Sequence, residues 1–337
     1  MLLTLPRYNK HCKQILLKLG GSMMKCRKAI AAITAILMLG AMMTGCAASS
    51  ESAEGNQGQE SGSTETGATE TPSGNFDSTM SITIVSREEG SGTRGAFVEL
   101  FEVEEEIDGK KVDATTVEAN ITQSTSVVMS SVAGDLYAIG YISLGSLDST
   151  VKAVKIDGVE ASADNIKSGD YKISRPFNIA TKDGISEVAQ DFVDFILSTQ
   201  GQNVVAQSGY ISLEATEDYE SKGLSGKVVV AGSSSVTPVM EKLKEAYNEL
   251  NAEVEIEIQQ SDSSTGMQSV IDDVCDIGMA SREIKESELD GGLNGIIIAM
   301  DGIAIVVNKD NETEDMTKEQ VQTIYLGEAD TWEEAMR

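Results

Sequence analysis

The sequence of 337 residues has very little of what most catalytic and metal sites are built from. It contains one histidine, His11, and four cysteines, of which only Cys275 lies beyond residue 46. A disulfide framework, a Cys/His metal cluster and a histidine base are therefore excluded from most of the chain. Because Cys275 lies on an apolar pattern between Val274 and Asp276, we interpret it as a small buried residue and not as a nucleophile.

Positive charge is also scarce. The chain has 26 Lys and Arg residues against 54 Asp and Glu residues, a net charge of −28. The first 46 residues hold seven of the basic residues and no acidic ones, so the net charge of residues 47–337 is −35. Such a surface repels nucleic acid and anionic lipid, and no nucleic-acid partner is expected. Any bound anion must be held by local dipoles and a few fixed arginines.

The first 46 residues have the pattern of an export signal. A basic segment, residues 25–28, precedes the apolar run Ala29–Leu39, and small residues lead from there to Cys46. The run is too short for a convincing membrane-spanning helix. The pattern resembles a lipoprotein signal, in which Cys46 carries the lipid and becomes the first mature residue; a cleaved signal with an incidental cysteine is the alternative. Because Met23 offers a second start, we interpret residues 1–22 as the result of a misannotated start codon.

An acidic, polar stretch follows the signal. Residues 47–79 consist mainly of Ser, Glu, Gly, Thr and Gln, with almost no large apolar residue. This composition predicts a disordered tether, because the segment has too little apolar surface to bury. We expect the folded part to begin near Met80.

Three segments repeat the same order of strand, turn and helix. Their turns are rich in glycine or hydroxyl side chains. The first is Ser81–Val85, Arg87–Gly95 and a helix over about 95–107; the second is Lys227–Ala231, Gly232–Pro238 and Val239–Leu250; the third is Val254–Ile258, Ser261–Gly266 and Met267–Val274. A helix N-terminus offers unpaired N–H groups and the positive end of the helix dipole. The repetition predicts several helix N-termini that face one anion.

The first turn has two other interpretations. Gly90, Gly92 and Gly95 fit the G-x-G-x-x-G pattern of dinucleotide sites. That pattern requires a second strand ending in an acidic residue about 20 residues later, and the segment Lys111–Thr116 does not provide a clear one. An ordinary capped helix is the remaining alternative. The recurrence of the unit favours the anion site.

The residues of these turns resemble a known family, the phosphate-binding proteins of ABC transporters, which have the type 2 periplasmic-binding-protein fold. The most specific segments are Arg87–Phe97, Gly232–Pro238, Asp276–Arg282 with Asp301–Asn308, and Ala138–Ser143 with Ser174–Pro176. The resemblance extends over nearly all of residues 80–337. It implies an α/β fold with two lobes, each a mixed sheet flanked by helices, joined by a two-strand hinge.

The order of the segments differs from the order usual in that family, in which the Gly232-type turn precedes the Arg87-type turn. We interpret the difference as a circular permutation, with the former termini joined through about residues 214–226 and a new break between Trp332 and Ile82. A truncated tandem of two half-receptors is the alternative.

The permutation has consequences for the lobes. It implies a discontinuous lobe, residues 80–176 with 309–337, and a continuous lobe, residues 177–308. Hinge strands are expected near Arg175–Ile179 and Val306–Asn308. Packing of residues 309–337 away from 79–176 would contradict the permutation.

By resemblance, ligand contacts come from both lobes. One lobe supplies Arg87, Ser91, Gly92 and Thr93, with Glu89 holding the arginine in place; the other supplies Ser235, the backbone of Val236, Ser264 and Ser281. Many relatives have an aspartate at the position of Ser281, where it accepts the proton of hydrogen phosphate and helps to reject sulfate. Without that carboxylate another acceptor is needed, and Asp262, Asp301 and a serine hydroxyl all remain open.

These observations predict an extracytoplasmic, lipid-anchored solute-binding protein that captures inorganic phosphate and delivers it to an ABC permease. We expect a monomer without a cofactor or metal, and not an enzyme. The alternatives are a receptor for another tetrahedral oxyanion, such as sulfate or molybdate, a phosphate-sensing surface protein and, less favoured, a hydrolase.

Overall fold

The computed structural model describes residues 76–215 and 217–337. The predicted signal, the lipidated Cys46 and the tether up to residue 75 lie outside the described residues. The ring of Phe76 packs against Tyr137 and Trp332, with centroid distances of 5.7 and 5.9 Å. The folded part therefore begins a few residues before the predicted Met80. None of the helices in the described part combines the length and apolar character that a membrane span requires.

Helices and strands alternate along the described chain. The helices are Gly92–Phe101 (α1), Thr125–Ala133 (α2), Ala163–Ser168 (α3), Glu187–Leu197 (α4), Thr199–Gln207 (α5), Thr237–Leu250 (α6), Ser263–Ile271 (α7), Glu286–Asp290 (α8), Lys318–Leu326 (α9) and Trp332–Ala335 (α10). The strands are Thr83–Arg87 (β1), Glu104–Ile107 (β2), Lys110–Asp113 (β3), Asn120–Thr122 (β4), Ala138–Ser143 (β5), Val151–Ala153 (β6), Lys155–Ile156 (β7), Ser174–Thr181 (β8), Gly226–Ser233 (β9), Val254–Ser261 (β10), Ile277–Ala280 (β11), Asn294–Asn308 (β12) and Asp315–Met316 (β13).

The main sheet has the strand order β10-β9-β11-β8-β12-β5-β1-β4, and β6 also pairs with β12. Its two outer groups are parallel, β10 with β9 and β11 at one end, and β5 with β1 and β4 at the other. Between them, β8 and β12 run antiparallel to their neighbours. The result is a mixed sheet with parallel ends, where helices can follow strands on the same edge.

Two separate sets of buried apolar residues pack against this sheet. The first core is drawn from residues 84–173 and 303–335, and it includes the rings of Phe97 and Tyr141, stacked 4.0 Å apart. The second core comprises two clusters drawn from residues 177–299. Burying a large apolar side chain stabilises a fold by about 1.5–3 kcal/mol, so each core is large enough to hold its own helices on the sheet.

Strand β12 belongs to both cores. Residues Asn294–Gly302 pair with β8, whereas Ile303–Asn308 pair with β5 and β6 and lie in the first core or at its edge. The change of partner falls between Gly302 and Ile303, so the predicted crossing at Val306–Asn308 and the predicted lobe boundary after residue 308 are wrong. The apolar run Ile303–Val307 is uniform, and nothing in it marks which core it enters. Strand β8 makes the other crossing.

The three predicted strand–turn–helix units are confirmed, as β1 with α1, β9 with α6 and β10 with α7. A fourth unit is β4 with α2. Because β1 is parallel to β4 and β9 is parallel to β10, the carboxyl ends of each pair lie on one edge of the sheet. The helices that follow therefore begin close together. Helix α1 ends at Phe101 and does not reach residue 107, because Glu102 adopts a left-handed conformation with φ of 56° and a β2–β3 hairpin follows.

Candidate anion site

The first side of the site is the turn between β1 and α1. The hydroxyl of Tyr141 accepts a hydrogen bond from the Arg87 backbone N–H at 3.1 Å and shares another of 2.8 Å with Ser86 Oγ. Burial raises the pKa of Tyr141 to about 12, so it is a neutral hydroxyl at pH 7. Ser91 caps α1 by accepting from the Arg94 backbone N–H at 3.3 Å. These contacts fix Arg87 at the end of the strand and Ser91 at the start of the helix.

The Arg87 guanidinium is buried and reaches across to the second core. Its Nε and Nη2 donate to the two carboxylate oxygens of Glu88 at 2.8 and 2.7 Å. Nη2 also donates to Ser234 Oγ at 3.0 Å, and Nη1 to Thr125 Oγ1 at 3.4 Å. The prediction that Glu89 holds this arginine is wrong, since Glu89 is exposed and its neighbour Glu88 does so. The backbone direction after β1 decides which of the two carboxylates faces inward.

Hydroxyl groups from the two sides meet beside Arg87. Thr93 Oγ1 and Ser235 Oγ share a hydrogen bond of 2.7 Å, and Thr125 Oγ1 lies 3.1 Å from Ser235 Oγ. Thr93 Oγ1 also lies 3.3 Å from Ser281 Oγ. Ser281 in turn accepts from Ser233 Oγ at 3.0 Å. Of the predicted residues, Thr93 therefore contacts both Ser235 and Ser281, although the three come from different parts of the chain.

Two of the predicted ligand contacts, Ser264 and the backbone of Val236, bind other groups of the protein. Ser264 Oγ accepts from Arg282 Nη2 at 3.3 Å, and its backbone N–H donates to Gly90 O at 3.2 Å. It is the preceding residue, Ser263, that reaches the hydroxyl cluster, where its Oγ accepts from the Ser281 backbone N–H at 3.1 Å. The backbone N–H of Val236 donates to Ser233 O at 3.1 Å, so this amide is engaged within its own turn.

Glycine is required where the two sides touch. A Cβ at Gly92 would collide with Ser263 Oγ and would lie 2.8 Å from Ser281 Oγ. A Cβ at Gly90 would collide with the Asp262 carboxylate. Gly92 thus allows the start of α1 to lie close to the start of α7 and to the turn after β11.

The two aspartates considered as proton acceptors face other groups. Asp262 caps α7, accepting from the Thr265 N–H at 2.8 Å and from Thr265 Oγ1 at 2.6 Å. Asp301 is fully buried and accepts from Arg175 Nη1 at 2.6 Å. Burial raises the pKa of the Asp301 carboxyl, and the charge of Arg175 opposes that rise. Both carboxylates are committed to protein partners.

Each of three buried arginines around the site is matched by a carboxylate. The pairs are Arg87 with Glu88 at 2.7 Å, Arg175 with Asp301 at 2.6 Å and Arg282 with Glu288 at 2.8 Å. Within residues 76–215 and 217–337, no group of His, Cys, Asp and Glu side chains could hold a metal ion. Hydroxyl groups and carboxylate-paired arginines therefore line this candidate anion site.

Five residues of the cluster were missed by sequence reasoning: Thr125, Ser233, Ser234, Ser263 and Arg175. Thr125 begins α2 directly after β4, and the three serines lie in predicted turns, so the strand–turn–helix signal could have included these four. Arg175 lies in the predicted crossing strand, and its reach into the site has no local signal.

The fold places the chain in the class of periplasmic-binding-protein-like α/β proteins, and comparisons with known proteins agree. A model of the PBP superfamily domain matches residues 63–200 and 217–336. The phosphate-binding protein PstS 2 of Streptococcus agalactiae is 58% identical over 253 residues, which cover 74% of this chain and 86% of that protein. PstS 2 of Streptococcus pneumoniae is 46% identical over 253 residues, covering 75% of this chain and 87% of that protein.

A solved structure gives the same result. The crystal structure of a phosphate-binding protein of a phosphate ABC transporter from Streptococcus pneumoniae superposes with a TM-score of 0.61 at 46% identity, covering 76% of this chain and all of that chain. The chain belongs to the PstS family of phosphate-binding proteins within the PBP superfamily.

Proposed function

We propose that this protein captures inorganic phosphate between its two cores and delivers it to the membrane permease of an ABC transporter. The observation that carries the proposal is the cluster of Thr93, Ser235 and Ser281, in which hydroxyls from both cores meet beside a buried arginine. The streptococcal relatives are phosphate-binding proteins by name, which supports phosphate as the ligand and binding, not catalysis, as the activity.

A phosphate site needs many hydrogen-bond donors. A dianion removed from water is costly unless each oxygen finds donors, and charge-assisted hydrogen bonds are the strongest available. The proposed ligand contacts are Arg87, Ser91, Gly92 and Thr93 on one side and Ser235 and Ser281 on the other. Thr125, Ser234 and Ser263 extend this set, because they contact its members directly. The helix N-termini add their dipoles.

The two cores act as the lobes of a type 2 periplasmic-binding protein. Strands β8 and β12 form the two-strand hinge, and closure brings the lobes together on the ligand. One lobe comprises about residues 76–173 with 303–337, and the other about residues 177–299. The separation of the apolar clusters supports this division.

A circular permutation explains the order of the chain. Residues 309–337 pack with the first core, and β13 pairs with β7. The two ends of the folded part adjoin, since Ser81 and Thr331 form a β-bridge and the Ile82 N–H donates to Asp330 O at 2.9 Å. Adjacent ends are what a break between Trp332 and Ile82 requires.

The location follows from the same role. A solute-binding protein of an ABC transporter works outside the cytoplasm, and a lipid on Cys46 would hold it at the membrane. Metabolic labelling with a palmitate analogue tests this anchor: we expect label on the wild type and none on Cys46→Ala. Label that persists on the variant would contradict it.

A receptor for sulfate or another tetrahedral oxyanion is the second candidate. It is favoured by Ser281, a hydroxyl at a position where a carboxylate would reject fully deprotonated anions, and by the commitment of Asp262 and Asp301 to protein partners. Titration calorimetry with phosphate and sulfate between pH 5 and 8 separates the two. Stoichiometric phosphate binding that sulfate fails to displace supports the proposal, and preferential binding of sulfate would overturn it.

A further inference from the structure

The guanidinium of Arg175 donates four hydrogen bonds to groups in different parts of the site. Its Nε donates to Ser281 O at 3.0 Å, and its Nη1 donates to Asp301 Oδ2 at 2.6 Å and to Gly302 O at 3.0 Å. Its Nη2 donates to Thr93 Oγ1 at 3.1 Å. Arg175 lies in the crossing strand β8 and is only 3% exposed. Its charge is therefore stabilised by these hydrogen bonds and not by water.

These four acceptors belong to three different regions. Thr93 is in the first turn of α1 and belongs to the side of the first core. Ser281 follows β11 on the side of the second core. Asp301 and Gly302 lie in β12, directly before its change of partner. A single guanidinium thus connects both crossing strands with both sides of the site, and its bond to Thr93 depends on the two sides being close together.

The hydrogen bond between Arg175 and Thr93 has only one possible direction. A guanidinium carries only donors, so the Thr93 oxygen accepts from Arg175. The hydroxyl proton of Thr93 must then point to another acceptor. Ser235 Oγ and Ser281 Oγ lie 2.7 and 3.3 Å away on that side. An anion oxygen placed among these hydroxyls would meet Thr93 as a donor.

Asp301 fixes the guanidinium in this orientation. The side chains of Arg175 and Asp301 are 3% and 1% exposed, and Asp301 Oδ1 also accepts from the Gly145 N–H at 3.3 Å. A lysine could carry the charge but could not reproduce the planar set of donors to these four acceptors.

We infer that Arg175 is a positioning residue for anion capture: it orients the Thr93 hydroxyl toward the ligand and links that orientation to the approach of the two cores. This inference rests on the proposed function, since it assumes that an anion is bound beside Thr93.

The test is a double-mutant cycle on inorganic phosphate affinity, measured by titration calorimetry for the wild type, Arg175→Lys, Thr93→Val and the double variant. We expect Arg175→Lys to weaken phosphate binding by roughly tenfold or more, the effect of losing a hydrogen bond to a charged group. If Arg175 acts through Thr93, the double variant should bind within about threefold of Thr93→Val alone, because the two effects are not independent. Multiplicative losses, or unchanged affinity in Arg175→Lys, would overturn the inference.

Two controls separate positioning from stability. Tyr171→Phe removes a buried hydrogen bond of 2.7 Å from the Tyr171 hydroxyl to Ile303 O, next to Gly302 in β12, and this hydrogen bond does not involve Thr93. It should lower the midpoint of thermal unfolding without changing phosphate affinity. If Arg175→Lys does not fold, Asp301→Asn takes its place in the cycle, since it keeps the arginine and removes its fixed partner; additivity with Thr93→Val would again refute the inference. A wild type that binds no phosphate would defeat the proposed function itself.

Discussion

On the side of the first core the site presents the buried guanidinium of Arg87, whereas the side of the second core presents five serines, at positions 233, 234, 235, 263 and 281. The first side adds this one charged group, already paired with Glu88, to the hydroxyls of Thr93 and Thr125. The hydroxyls of the second side are spread over three turns, and its Arg282 is paired with Glu288. A protein with a net charge of −28 cannot attract an anion at long range, so binding must depend on how closely these two sides match at short range.

Because a charged donor binds an anion more strongly than a neutral hydroxyl does, Arg87→Ala should have the largest effect on phosphate binding. It removes the charged donor and leaves Glu88 beside the anion, so we expect titration calorimetry to show phosphate affinity reduced by roughly a hundredfold or more. Arg337→Ala is the control, since that arginine pairs with Glu333 at the exposed end of the chain. Equal affinity in the two variants would remove Arg87 from the site.

Ser235→Ala tests the serine side and should have a smaller effect. The serine contacts Thr93 and Thr125 with a neutral hydroxyl, so its loss should weaken phosphate binding by up to about tenfold. The matched control is Ser130→Ala, because the Ser130 hydroxyl donates to Val127 O on the exposed surface. A loss for Ser235→Ala as large as that for Arg87→Ala would contradict the division between charge and neutral donors.

The second core also buries a charge that has no part in the site. Asp191 accepts from the hydroxyls of Tyr219 and Tyr247 at 2.6 and 2.8 Å and pairs with Lys222 at 3.1 Å. Burial alone would raise the pKa of Asp191, but these hydrogen bonds outweigh it and hold the pKa below its ordinary value. A lowered pKa stabilises the fold at pH values above that of the unfolded carboxyl, and this stabilisation is lost as the pH falls through the folded-state pKa.

Asp191→Asn should therefore affect stability and not binding. We expect urea unfolding at pH 7 to show a loss of about 1–3 kcal/mol, the cost of disturbing a buried charged hydrogen-bond network, with a smaller difference at about pH 3. Phosphate affinity should not change. Asp194→Asn is the matched control, because the partners of Asp194 are at the exposed surface: it pairs with Lys222 at 3.1 Å and accepts from Gln190 Nε2 at 2.9 Å. A difference between Asp191→Asn and wild type that grows on acidification would contradict this account.

The predictable part of the site was local. Arg87, Ser91, Thr93 and Ser235 lie in turns between an apolar strand and an amphipathic helix, and hydrophobic periodicity and turn composition locate such turns without tertiary information. Outside the site, the tight turn at Asp157 and Gly158 also follows from local sequence alone. An Asp-Gly pair favours the positive φ values of 52° and 78° found there.

What could not be predicted depends on contacts between distant segments. The choice of Glu88 over Glu89, and of Ser263 over Ser264, turns on the direction of one side chain relative to the opposite core. The change of partner at Gly302 and Ile303 is hidden in a continuous apolar strand. The role of Arg175 could not be predicted either, because it depends on the place where the two crossing strands and the two sides of the site meet.

A crystal structure of this protein with bound inorganic phosphate would show where the anion lies relative to the two sides of the site. We expect one anion within hydrogen-bond distance of Arg87 and Thr93 on one side and of Ser235 and Ser281 on the other. An anion held by one side alone, or bound away from these four residues, would contradict capture between the two sides.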